Sequence, residues 1–284
     1  MPSIEFINHA SVLISDGNKS ILSDPWYQDS VFNEGWDLLD PLQDDQIINV
    51  IERTDFIWIS HEHPDHFSIM FFKKFGDQIK TQNIQILFQM TNDKRVEKFL
   101  SNSGFNLQTI AFNSWVKLSN TFEVLCVKDG FYDSGLAIKT ADTKILNLND
   151  CEINEPSRCK DILEIVGECD VLVSQFSYAA WKGGKNNTSW RKLAAKEKLE
   201  TLKLQSKYFK PQVLIPFASY VYFSNEENYY LNDAANKPED VLRIFENSST
   251  HIQIMQPFQT IDDFDNITDN SDSIEFWNKA YEST

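Results

Sequence analysis

The segment that most limits what this chain can become is DFIWISHEHPDHFS, residues 55–68, an apolar run of strand type that empties directly into three of the chain's five histidines. Side chains of an extended chain alternate between faces, so His61 and His63 leave the strand on the same side and can reach one ion. Pro64 disfavours helical backbone at His63 and forces a turn, after which Asp65 and His66 stand at the start of the next helix and converge on a second point nearby. Imidazole nitrogens joined by a carboxylate suit zinc, iron or manganese rather than calcium or magnesium, so one or two transition-metal ions are expected here. A bland reading makes Asp65 a helix cap among solvated loop histidines. It leaves the HxHxDH spacing without a cause.

The rest of the chain supplies a scaffold for that strand end. Strands are predicted at SIEFIN, ASVLISD, KSILSD, FIWIS and NIQILF, and again at FEVLCV, GLAIKT, KILNLND, DVLVSQF and QVLIPFA. Helices are predicted at SIMFFKKF and along SWRKLAAKEKLETLKLQSKYF, and the C-terminal region reads as polar. DPWYQDSVFNEGWDLLDPLQDD reads as a long aromatic-rich loop of the kind that shapes a pocket. Two β-rich halves with helices packed outside make an α/β sandwich, assigned as one domain over residues 1–284. At 284 residues and 42% hydrophobic, the chain can bury a sizeable core. A net charge of −16 argues against nucleic acid or an anionic membrane as the main partner, since both repel it at long range. The N-terminal residues lack the basic start and apolar run of a signal peptide, and Cys126, Cys151, Cys159 and Cys169 form no CxxC pair. A cytoplasmic protein with reduced thiols and no structural zinc knuckle is expected.

SHEHPDH resembles the HxHxDH signature of the metallo-β-lactamase superfamily, and ILSDPWY resembles the strand and Asp-containing loop that precede it there. DPWYQDSVFNEGWDLLDP, ILNLNDC, LIPFASYVYFSNEENYY and the GGK before the long helix are similar to the metallo-β-lactamase-like part of the CMP-N-acetylneuraminate monooxygenases. The likeness runs from Ile4 to beyond Tyr230. It implies an αββα sandwich with its metal site at one edge of the two sheets. It also implies that His61 and His63 serve a first ion, Asp65 and His66 a second, and Asp150 both. The first site of such proteins takes a further histidine from a loop ahead of the bridging carboxylate. Here no histidine lies between His66 and His251, and in VKDGFYDSG either Asp129 or Asp133 can stand in, with Asp129 preferred. A last histidine in a Pro-x-His pattern is also missing, because the chain reads Pro216-Phe217-Ala218.

Other residues join the candidate site. His9 in NHASVLI resembles a segment near the active site of distant relatives, which gives it a supporting or a substrate role against ordinary strand placement; it is assigned, with Trp26, to substrate contact. Asp24 is a candidate for orienting a ligand histidine through its ring N–H. In the basic stretch WKGGKNNTSWRK, Lys182, Lys185 and Arg191 can neutralise a phosphate or carboxylate, and Lys185 is chosen as the anion ligand. Cys151 reads as a buried, inert thiol and His251 as a surface strand residue. Two chemistries compete, with hydrolysis placed first. In it, a metal-bound hydroxide attacks a phosphoester, amide or lactone of a small anionic, nucleotide-sugar-like substrate, with Asp65 or Asp150 handling the proton. In the other, a non-haem iron site hydroxylates a sugar derivative. The monooxygenases it resembles carry a Rieske iron–sulfur domain, whose Cys-x-His motif this sequence lacks, so a separate electron-transfer protein is then required. A third reading is a degenerate anionic-sugar binder without turnover.

Overall fold

The computed structural model describes residues 2–284. In chain order the first half holds β1 (Ser3–Asn8), β2 (Ser11–Ser15), β3 (Ser20–Ser23), β4 (Trp36–Leu38), α1 (Asp44–Glu52), β5 (Phe56–Ile59), α2 (Ile69–Lys74), α3 (Gly76–Thr81), β6 (Gln85–Gln89), α4 (Arg95–Asn102) and β7 (Asn106–Ile110). The second half holds β8 (Trp115–Lys117), β9 (Glu123–Lys128), β10 (Ser134–Lys139), β11 (Lys144–Asn149), α5 (Pro156–Val166), β12 (Val171–Gln175), α6 (Thr188–Phe209), β13 (Val213–Phe217), β14 (Val221–Phe223), α7 (Pro238–Phe245), β15 (His251–Ile252), β16 (Thr260–Ile261) and α8 (Ser271–Glu282).

Two seven-stranded sheets result, with orders β16-β1-β2-β3-β5-β6-β7 and β15-β13-β12-β11-β10-β9-β8. Each has an antiparallel part, β1-β2-β3 or β11-β10-β9-β8, and a parallel part, β3-β5-β6-β7 or β15-β13-β12-β11. Period-two alternation sorts the core. Phe56 and Trp58 of β5 face the second sheet, whereas Ile57 and Ile59 pack outward with Ile47 and Val50 of α1 and Phe71 and Phe72 of α2. The inter-sheet core continues through β9 to β13 to the helices outside the second sheet, taking in Cys159, Leu202, Phe209 and Val241. The expected αββα sandwich is therefore the fold observed. No helix among the described residues is long and apolar enough to cross a membrane.

The segments that departed from expectation are those whose order depends on distant partners. The aromatic loop after Asp24 contains β4, which pairs with β14 from the other end of the chain, and its last residues open α1. The polar C-terminal region folds into α7, β15, β16 and α8. There α8 buries Trp277, whose ring stacks on Tyr220 at 3.9 Å and meets Phe6 edge-on at 6.1 Å. Trp277, with Phe276 and Tyr281 packed against the same core, anchors an otherwise polar helix, and averaged hydropathy hides it. Helix α2 begins later than expected, at Ile69, where the Ser68 hydroxyl accepts the Phe71 N–H at 3.1 Å. Asp65 and His66 lie instead in a turn closed by the His63 carbonyl, which accepts the N–H groups of His66 and Phe67 at 3.0 and 2.7 Å.

Candidate metal centre

The centre sits where the parallel strands of both sheets end. From the first sheet come the β5 exit with Ser60, His61, His63, Asp65 and His66, the β3 exit with Asp24, and the β1–β2 turn with His9. The second sheet contributes Asp133 from the β9–β10 turn, Asn149 and Asp150 at the β11 exit, and Gln175 closing β12. Ligands gather outside carboxyl-terminal strand ends because the loops there can vary without disturbing the sheets.

Three groups of ligand atoms lie within 4.8 Å of one another: His61 with His63 and Asp133, His61 with His66 and Asp150, and His9 with Asp65 and His66. In the first, His61 Nε2 is 2.9 Å from His63 Nδ1 and 3.6 Å from Asp133 Oδ1. His66 Nε2 is 3.2 Å from Asp65 Oδ2 and 3.3 Å from Asp150 Oδ2, which puts Asp150 between the two groups. Asp24 fixes these rings. Its Oδ1 accepts the Ser60 N–H at 2.7 Å, while its Oδ2 accepts the Ser60 hydroxyl at 2.7 Å and faces His66 Nδ1 at 3.0 Å. With that hydroxyl donating to Asp24, its oxygen is left to accept from His61 Nδ1 at 2.9 Å. His61 therefore carries its proton on Nδ1 and presents a bare Nε2 to the centre, while His66, its Nδ1 held by Asp24, turns its Nε2 toward the same centre. Asp24, expected to orient a ligand histidine, thus stands against the Nδ1 of His66.

Several supporting residues escaped the sequence reading. Asn149 donates its amide to Asp24 and, at 2.8 Å, to the Ser60 hydroxyl. Gln89 and Ser134 hold the Ser60 carbonyl at 2.7 and 2.6 Å, and Gln175 donates to Asp150 Oδ1 at 3.0 Å. Gln89, Asn149 and Gln175 each close a mostly apolar strand, the sequence signal that marks them. The backbone is strained in the same place: His9, Asp24, Asn149 and Ala218 have φ of 35°, 37°, 50° and 52°.

The electrostatics call for a cation. Burial, followed by the His66 charge, pushes His61 down to about 3, so its ring is neutral and ready to ligate. Burial also opposes charge on His66, but Asp65 and Asp150 outweigh it and hold His66 well above the usual histidine range. The His66 charge in turn overrides burial at Asp65, which is held well below the carboxylate range, and at Asp150, which is lowered. At Asp133 burial and the Asp150 charge outweigh the opposing pull of the nearby imidazoles and push it up to about 6. Asp65 Oδ1, His66 Nε2 and Asp133 Oδ1 are buried without a hydrogen-bond partner, a costly condition that a bound ion removes. The residues fit transition-metal ions, with nitrogen and oxygen donors in mixed sets.

Four assignments are corrected. Asp129 is not at the centre; its carboxylate accepts the Glu152 N–H at 2.7 Å and faces Arg158, so Asp133 is the loop carboxylate beside His61. Trp26 is 1% exposed and sits behind His9, its ring edge-on at 5.4 Å and its N–H given to the Asp29 carbonyl. His9 is equally buried and lies behind Asp65 rather than facing substrate. Lys185 is exposed and away from the cavity over the centre, which Lys182 and Lys198 line instead. Arg191 is also spoken for: wholly buried, it grips Asp233 and the carbonyls of Gly184 and Lys185, clamping the glycine-bearing loop to the Asp233 segment. Cys151 is buried in the inter-sheet core with its thiol pushed well above its usual range by burial, and His251 is exposed on β15, as read.

The cavity, about 590 Å³, has two unlike walls. His63, Asp65, Asp133 and Asp150 form its floor, while Phe32, Trp36, Tyr178, Trp181 and Phe223 give an aromatic side. Lys182 and Lys198 supply positive charge, Lys198 being 3.6 Å from Glu152.

A family model described as a beta-lactamase superfamily domain matches residues 3–148. The cytidine monophosphate-N-acetylneuraminic acid hydroxylase of Xenopus laevis is 28% identical over 254 residues, which is 82% of this chain and 41% of that protein. The chain thus spans about two fifths of the length of that relative. Among solved structures, CmlA, a diiron β-hydroxylase from Streptomyces venezuelae, superposes with a TM-score of 0.65 at 13% identity over 92% of this chain and 54% of its own. Igni18, a metallo hydrolase from the archaeon Ignicoccus hospitalis, superposes with a TM-score of 0.62 at 13% identity over 92% and 97%.

Proposed function

The chain belongs to the beta-lactamase superfamily, and from that premise we propose that it is a dinuclear non-haem iron oxygenase acting on a small anionic sugar derivative. The observation that carries this reading is Asp133 beside His61 and His63. Two histidines and one carboxylate form the set that non-haem iron oxygenases use; some catalytic zinc sites share it, but here the carboxylate stands where the proteins that the sequence resembles take a further histidine. This reverses the order that the sequence alone suggested. The Xenopus hydroxylase and the diiron hydroxylase of the same fold lend support, and the nucleotide-sugar named for the former suggests the substrate class.

In this reading His61, His63 and Asp133 would hold one iron, Asp65 and His66 the other, with Asp150 between them. Bound iron supplies the dioxygen chemistry that side chains cannot perform. The chain's own residues do the rest. Asp24 and Ser60 keep the Nε2 atoms of His61 and His66 aimed inward, and Gln175 holds Asp150 in place. Aromatic side chains along one wall exclude water and take a ring of the substrate, while Lys182 and Lys198 bind its anionic group. The balance of hydroxylation is one C–H bond converted to C–OH and one oxygen atom released as water. Two protons come from solvent and two electrons from a reduced donor outside these residues, because the four cysteines are buried and lie outside the ligand groups.

The test is metal content and dioxygen reactivity of protein purified without added metal. Iron near two per chain, with a visible band that bleaches under dithionite and returns with air, supports the reading. Zinc with turnover of bis(p-nitrophenyl) phosphate and no response to air overturns it. One observation favours that hydrolytic alternative: a carboxyl raised to about 6 at the cavity floor suits Asp133 as a general base near neutral pH.

A further inference from the structure

We propose that His9 is itself a metal ligand, completing a second set of two histidines and one carboxylate with His66 and Asp65. This rests on the reading of the centre as a transition-metal site. His9 is 1% exposed, yet neither of its ring nitrogens has a hydrogen-bond partner. Its Nε2 stands 3.6 Å from Asp65 Oδ2, too far for a hydrogen bond, and His66 Nε2, also unpartnered, approaches the same oxygen at 3.2 Å. The three residues bring ligand atoms within 4.8 Å of one another. A buried imidazole with both nitrogens unsatisfied carries a desolvation cost that one shared ion removes for all three groups.

The backbone around His9 is built to hold the ring there. Its φ of 35° is unusual for a residue with a Cβ, and two contacts fix it: its N–H donates to Asn8 Oδ1 at 2.9 Å, and its carbonyl accepts the Ala218 N–H at 2.7 Å. Trp26 packs against the ring and blocks retreat into the core. Ala218 lies at the exit of β13, the corner where a Pro-x-His histidine was missed, so the β1–β2 turn delivers an imidazole to that corner from the opposite sheet. Both halves of the centre then carry the same donor set, with Asp150 shared.

The test uses cobalt(II) as the probe ion on the metal-stripped protein, followed by calorimetry and by the visible d–d spectrum. Wild type should take up two equivalents. His9→Ala should keep one and bind the second more than about 100-fold more weakly, beyond the 10–100-fold loss expected when a group that merely orients a ligand is removed. Two equivalents with unchanged affinity and spectrum in His9→Ala overturn the assignment. Should His9→Ala fail to fold, a crystal of cobalt-loaded wild type decides: an anomalous peak about 2.0–2.2 Å from His9 Nε2 supports it, and ions seated only at the other ligands overturn it. Wild type that binds no cobalt overturns both this assignment and the metal reading beneath it. Two cobalt ions with His9 unligated remove His9 alone.

Discussion

The two sheets meet at the metal centre on unequal terms. The first sheet gives every imidazole, from the β5 exit and the β1–β2 turn, with Asp65 and the orienting Asp24, whereas the second gives Asp133, Asp150 and the amides of Asn149 and Gln175. The nitrogen side is compact, since three of its histidines fall within residues 61–66, and one buried carboxylate, Asp24, sets two of the rings. The oxygen side is assembled from three separate strand ends. A contiguous turn held by one network fixes ligand geometry tightly; single residues on separate loops leave charge and donor type free to vary. The chemistry is therefore decided on the second sheet, where Asp133 rather than a histidine stands beside His61.

Mutations can break that asymmetry in graded steps. The largest effect should come from His61→Ala, because His61 belongs to two of the three ligand groups; affinity should fall by more than about 100-fold, and mass spectrometry of the desalted protein should find almost no metal. Asp24→Asn should follow with a loss of about 10–100-fold, since it removes the acceptor that fixes His66 and Ser60, read by competition with a chelator. A drop confined to the ion on the second sheet's side would break the account of one network serving both rings.

Asp133→Asn separates binding from stability. It should weaken the ion beside His61 by about tenfold. Asp129→Asn should leave metal content unchanged. In the metal-free protein the sign reverses. Asp133 is raised to about 6 in the fold against 3.8 in the unfolded chain, so its contribution is fully present below pH 3.8 and is lost as pH rises through 6. At pH 7 the substitution should thus stabilise metal-free protein by about 1–3 kcal/mol in urea unfolding, and the gain should vanish near pH 4. The smallest effect belongs to Gln175→Leu. Losing one hydrogen bond to Asp150 should cost about 0.5–1.5 kcal/mol of metal binding, roughly 2–10-fold, in the same competition.

The same asymmetry explains what could be read from the amino-acid order. The HxHxDH turn was legible because its chemistry and spacing are local, and the strands around it because buried apolar runs are local too. The DPWY aspartate was legible through its place before a proline at a strand exit. Asp133 was not separable from Asp129, since both occupy one nine-residue stretch and only the register of β9 against β10 decides which carboxylate turns inward. Lys182 and Lys185 posed the same problem, settled by the Arg191 clamp to a segment more than forty residues away. His9 was visible but misassigned, because its nearness to His66 depends on the packing of two strand exits and not on spacing. The C-terminal helices were missed because a few apolar side chains, Val241 and Phe245 in α7 and Trp277 in α8, carry the packing of segments that are otherwise polar.

The most direct measurement is Mössbauer spectroscopy of protein expressed with iron-57 and purified anaerobically, with total metal counted on the same sample. Two iron ions per chain, coupled after oxidation and each in a nitrogen and oxygen environment, are the expected result. A single tightly held zinc, or iron that washes away while zinc remains, would contradict the claim that a carboxylate beside His61 and His63 makes this an iron site.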